Sequence, residues 1–147
     1  MAQGDITIYQ QFKLKQNNGV DVVDFDNDTI RVMIVTSAYT PDYVTHNFIS
    51  EIDANEVAAG SSYSAKGPAI TTPSMAIVGG LAVFDGDPIT VALDGTGFTN
   101  GFYIIIYKDT GVDTTSRVIA LGELGANRSV VGGALNLNWN ANGILRF

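Results

Sequence analysis

Residues 102–107 read FYIIIY, six aromatic or β-branched side chains in succession. Stiff χ1 rotamers and bulk at Cβ favour a pleated strand for such a run. The run has no polar alternation, so both faces of the strand must be covered, and it belongs at the centre of a sheet. Residues 29–39 (TIRVMIVTSAY) have the same character, with Ile30, Val32 and Ile34 on one face and Met33 and Val35 on the other. The rest of the chain has to supply partners and cover for these two strands.

It does so in short pieces. Residues 5–15 place Ile6, Ile8, Phe12 and Leu14 in one phase, the pattern of an amphipathic strand. Asn18-Gly19 turns the chain into a second short strand at residues 20–25. Residues 68–78 and 81–84 are extended, separated by Gly79-Gly80, and Pro73 puts the first of them at an edge or breaks it in two. Turns at 85–88 (DGDP) and 94–97 (DGTG) bracket a strand at 89–93. Residues 117–121 (RVIAL) form a plausible antiparallel partner for FYIIIY, and residues 135–139 alternate Leu135, Leu137 and Trp139 with asparagines. Ile144, Leu145 and Phe147 follow a turn at Asn142-Gly143.

One segment breaks the pattern. Thr40 can cap a helix, Pro41 suits its first position, and Asp42 complements its dipole. Val44, Phe48 and Ile52 recur every four residues. These signals predict a short helix near residues 41–52, followed by a small-residue loop, 55–67, anchored by Tyr63. The expected fold is therefore all-β: an antiparallel β-sandwich, jelly-roll or Ig-like, with one inserted helix. At 147 residues the chain fits one domain, residues 1–147.

Hydrophobic content is 46% against 16% charged residues, where soluble proteins average about 25% charged. Some of that apolar surface is expected to meet another subunit. A net charge of −7, with the basic residues scattered, argues against nucleic acid as a partner. No cysteine is present, so disulfides and thiolate chemistry are excluded. The opening residues lack a basic stretch followed by an apolar one, and no run approaches the 18 or so apolar residues of a membrane span. Synthesis in the cytosol, with no membrane association, is the expectation.

Asp24, Asp26 and Asp28 have the two-residue spacing of calcium ligands, but Thr29 and Val35 stand where an EF-hand loop needs Gly and Glu. An acidic turn explains them. His46 is the sole histidine and has no second ligand beside it. The serines lack a G-x-S-x-G elbow, and the glycines lack the Lys-Ser or Lys-Thr of a phosphate loop. No catalytic residue, cofactor or metal is expected, and the chain does not read as an enzyme. Asp109-Thr110-Gly111 resembles the tripeptide of retropepsin-type aspartic proteases, which would make Asp109 catalytic. Polar flanks on both sides favour a hairpin turn there.

A broader resemblance runs through TSAYTPD (36–42), His46, EI-x-x-NEV (51–57), GSSYSAKG (60–67) and NWNANGIL (138–145). Together these stretches resemble small virion proteins from tailed-bacteriophage structural operons. The resemblance implies a non-enzymatic head decoration or cement protein, synthesised in the host cytoplasm and carried on the capsid surface. Its partner would be the major capsid protein, and copies would assemble as homotrimers at local threefold positions. Tyr39, Tyr43, Phe48 and Tyr63 are the interface candidates. A tail or fibre component with an adhesin role is the alternative implied.

Overall fold

The computed structural model describes residues 6–147. Nine strands are joined by antiparallel pairings alone: β1 (Ile6–Ile8), β2 (Ile30–Val35), β3 (Ser74–Val78), β4 (Leu81–Asp85), β5 (Ile89–Val91), β6 (Gly101–Lys108), β7 (Val118–Arg128), β8 (Leu135–Leu137) and β9 (Leu145–Arg146). One α-helix, α1 (Gln10–Asn17), lies between β1 and β2. The expected all-β antiparallel class is what the chain adopts.

Four strands form the main sheet in the order β1-β7-β6-β2. β6 contains the FYIIIY run and lies between β7 and β2, with Ile104 to Tyr107 fully buried. Its neighbours answer in kind: Ile30, Val32, Met33, Ile34 and Val35 on one side, and Val118 to Leu121 on the other, are all at most 1% exposed. A second sheet has the order β3-β4-β9, and β5 pairs with β8 alone. Phe84 of β4 packs on Phe25 at 4.6 Å between ring centroids, one of the contacts that closes the core.

The helix is not where the sequence placed it. Residues 10–17, expected to continue a strand from residue 5, form α1; Asp5 itself lies outside the described residues. Tyr9 and Phe12 are buried and Gln16 partly so, at the three- and four-residue spacing of a helix face, whereas Leu14, assigned to the apolar face of a strand, is 51% exposed. Gln, Lys and Leu are also good helix formers. The Gln16 side chain then captures residue 23 as a neighbouring strand would: its Nε2 donates to the Val23 carbonyl at 2.9 Å and its Oε1 accepts from the Val23 amide at 2.8 Å. That docking leaves residues 20–25 irregular, in place of the short strand expected there.

Residues 41–52 make no α-helix. Asp42 accepts from the amides of Val44 and Thr45 at 3.0 and 2.9 Å, and the chain completes a single turn. Phe48 is then extended, φ −129° and ψ 157°, because it bridges Arg117 at the entrance to β7. Two short 3-10 turns follow, Ile49–Glu51 and Asp53–Asn55. Val44, Thr45, Ile49 and Ile52 are β-branched and weak helix formers, so the tertiary bridge at Phe48 wins over the four-residue spacing. Val44 ends up 63% exposed while Ile52 is buried.

Candidate functional site

The segment that follows β2, residues 36–70, folds back along that strand and closes its outer edge. Val32 donates to the Pro68 carbonyl, Ile70 to Ile30, Val57 to Ile34 and Thr36 to Asn55, at 2.8–3.0 Å. An edge strand left bare would be a template for unwanted pairing; here the chain's own loop occupies it. Gly67 makes the approach possible. Its φ is +77°, and a Cβ there would stand 1.9 Å from the Val32 carbonyl oxygen.

Tyr63 is the central pin of this segment. Its ring is 2% exposed and meets Phe98 edge-on at 5.6 Å. Its hydroxyl accepts from the Ile34 amide at 2.9 Å and donates to Glu56 at 2.8 Å. The same Glu56 oxygen accepts from the Lys66 amide at 2.5 Å. Burial pushes the Glu56 carboxyl above the usual carboxylate range, against the pull of those two bonds. Lys66 Nζ reaches Asp53 at 2.7 Å and Asp113 at 3.0 Å. Burial works against the Lys66 charge, but the two carboxylates outweigh it and hold the ammonium above its ordinary value.

Tyr39 and Tyr43 gather around Tyr9. The Tyr9 and Tyr39 hydroxyls lie 2.8 Å apart, and the Tyr39 oxygen is 2.7 Å from His46 Nδ1, with the Tyr39 and His46 rings stacked. Burial pushes the Tyr39 hydroxyl up to about 12. Tyr43 meets the Tyr9 ring at 5.3 Å and is half-buried. Phe48, also half-buried, lies under the Arg117 guanidinium at 4.9 Å. Arg117 is buried at 1% exposure and bonds Asn47 and Asp21.

Of the four interface candidates, Tyr39 and Tyr43 share the Tyr9 cluster, while Tyr63 packs on Phe98 and Phe48 on Arg117. Tyr39 and Tyr63, at 3% and 2% exposure, are core residues with almost no surface left for a neighbour. Tyr43 and Phe48 keep part of theirs, and Val44, which follows Tyr43 in the chain, is exposed. His46 is bound to a buried tyrosine and so is more than a surface side chain.

Asp109 sits in the turn region after β6. It takes the Arg31 guanidinium at 2.6 Å and the Gly111 amide at 2.8 Å, while Arg31 also donates to the Gly67 carbonyl. The tripeptide therefore works as a turn that ties β2, β6 and the loop together. The acidic turn at 24–28 closes on itself: Asp24 accepts from Asp26 and Asn27, and Asp28 pairs with Lys108 at 2.8 Å. Among the described residues no cluster of acidic or histidine side chains could hold a metal ion, and no helix is long and apolar enough to cross a membrane.

Sequence reasoning missed one surface feature. A cleft of about 590 Å³ opens between α1, residues 22–26, Met75 and Phe147, with Phe12 and Phe25 in its wall. Its aromatic residues, Phe12, Phe25 and Phe147, come from distant parts of the chain, so no local pattern marks it. Compared with protein-family models, with characterised proteins and with solved structures, the chain matches none.

Proposed function

We propose that this chain is a non-enzymatic structural protein of a tailed-phage virion, a capsid decoration or cement protein that bridges major capsid subunits. The reading is supported by how the residues of the phage-like motif are used. Tyr39, Glu56, Tyr63, Lys66 and Gly67 all serve to lock the 36–70 segment against β2 and its neighbours. A segment held this firmly suits a static contact better than a turnover cycle. Copies would close around local threefold axes on the capsid surface, and the four- and three-stranded sheets would be the two layers of a jelly-roll-like sandwich. Between the motif stretches, Tyr43 and Phe48 are half-buried and Val44 is exposed, which leaves them surface to meet a capsid subunit.

The test is co-sedimentation of purified protein with expanded capsids that lack it. Saturable binding to heads, weakened by Val44→Asp, is the expected result. Binding to tails or host cells in the absence of head binding overturns the decoration role and points to the adhesin.

A further inference from the structure

Arg117 carries a charge that has been taken out of water. Its side chain is 2% exposed, and a guanidinium stays protonated wherever it is placed. The backbone holds it there: the Arg117 carbonyl accepts from the Lys108 amide at 2.9 Å, and the residue bridges Phe48, whose ring lies 4.9 Å from the guanidinium. A buried cation needs oxygen acceptors on its N–H groups. Asn47 Oδ1 takes Nη1. Asp21 Oδ2 takes Nη2 at 2.9 Å and is the one ionic partner of Arg117 among the described residues. Nε is buried as well, and it has no partner.

The Nε–H and the neighbouring Nη2–H of a guanidinium run parallel and match the two oxygens of a single carboxylate. Asp21 meets only one of them. It stands in the exposed turn at residues 18–22, with φ +49°, a region that favours glycine. The turn is tied on either side of it: the Val20 amide donates to the Lys15 carbonyl and Lys108 Nζ to the Val22 carbonyl, both at 3.0 Å. Those ties set how closely Asp21 approaches, and it reaches the fork at a single point. Its own side chain is 65% exposed, so it can rotate into water while the turn stays in place. Arg117, fixed in the sheet, cannot follow it.

We infer that Arg117 is the base of a binding site for a small carboxylate, and that Asp21 closes this site from within the chain. The ligand is an untethered carboxylate of formate or acetate size, which can engage Nε and Nη2 together where Asp21 engages one. Asp21 holds the site in the isolated protein because a tethered group acts at an effective concentration on the order of millimolar or above. The Asp21 carboxylate is thus an internal competitor, and its removal leaves both a vacant space and an unmatched buried charge. Only Arg117, Asp21 and their neighbours enter this inference, so it stands apart from any role on a capsid.

Thermal unfolding of the full chain tests the site. Asp21→Gly suits the backbone at φ +49° and removes the carboxylate, and it should lower Tm by roughly 10 °C, the effect of leaving a buried charge unpaired. Sodium formate should restore at least half of that loss, and sodium chloride at the same concentration much less. Wild type should gain no more from formate than from chloride. Adding Arg117→Met to Asp21→Gly replaces the charge with an apolar side chain and should abolish the formate response. Asp21→Asn keeps an acceptor without the charge and should respond to formate in smaller measure, which gives a reading even where Asp21→Gly does not fold. An Asp21→Gly chain as stable as wild type, formate acting no better than chloride on the Asp21 variants, or an equal formate response in wild type or in the double variant each overturn the inference.

Discussion

At the residue scale the structure depends on polar side chains placed where backbone alone would leave gaps. Asp94 is the clearest acid of this kind. Its carboxylate accepts from the Thr96 amide and hydroxyl and from the Ser61 amide, tying the turn after β5 to the loop at 60–61. The bonds from Thr96 and Ser61 hold its carboxyl down to about 2 from an ordinary 3.8. A carboxyl depressed in the folded state binds fewer protons there than in the unfolded chain, so its stabilising effect is complete above about pH 4 and is lost as the pH falls toward 2. Urea unfolding of wild type and Asp94→Asn should show a stability gap that is widest at neutral pH and narrows through that window. A gap that stays constant to pH 2 would show that the ionised Asp94 carboxylate adds nothing to stability. None of this was legible beforehand: the DGTG turn is visible in the sequence, but its tie to Ser61 spans 33 positions and depends on two loops meeting.

Elements were legible to the degree that their own residues decided them. β2 and β6 were fixed by runs too apolar to be anything but central strands, and the Gly79-Gly80 hairpin by two glycines with φ of +59° and +83°. α1 is hidden because the two-residue period, real at Ile6 and Ile8 of β1, runs on by accident through Phe12 and Leu14, and it competes with the Tyr9–Phe12–Gln16 helix spacing over a short stretch. The helix expected at 41–52 failed for the opposite reason, since its spacing was real but Phe48 was claimed by β7. Gly67 carries the prediction at this scale. Gly67→Ala drives a Cβ into the Val32 carbonyl and forces an alanine to φ +77°, so the loop must lift off the β2 edge. The expected loss is about 3 kcal/mol or more in denaturant unfolding. A loss below 1 kcal/mol would mean that the loop yields without cost.

For the molecule as a whole, the sheets should open in a definite order. β6 and β7 are paired on both sides and β2 is closed on its outer edge by the 55–70 loop, whereas β3 has one neighbour and β5 and β8 have only each other. Amide hydrogen exchange should therefore protect Ile104 to Tyr107 and Val118 to Leu121 most, and Ile77 and the β5–β8 pair least. Equal protection of β3 and β6 would contradict this ranking.

The sequence by itself determined the class, because strand propensity, burial of whole apolar runs and glycine turns are properties of adjacent residues and act wherever the chain goes. It also marked residues 40–67 as the segment that breaks the strand pattern. Only the tertiary structure decided which strands pair, that Tyr39 and Tyr63 are core pins, that Arg31 joins Asp109 across 78 positions, and that β2's edge is covered while β3's is not. Those outcomes depend on which distant groups arrive at the same place, and no local pattern encodes an edge that another part of the chain happens to leave open.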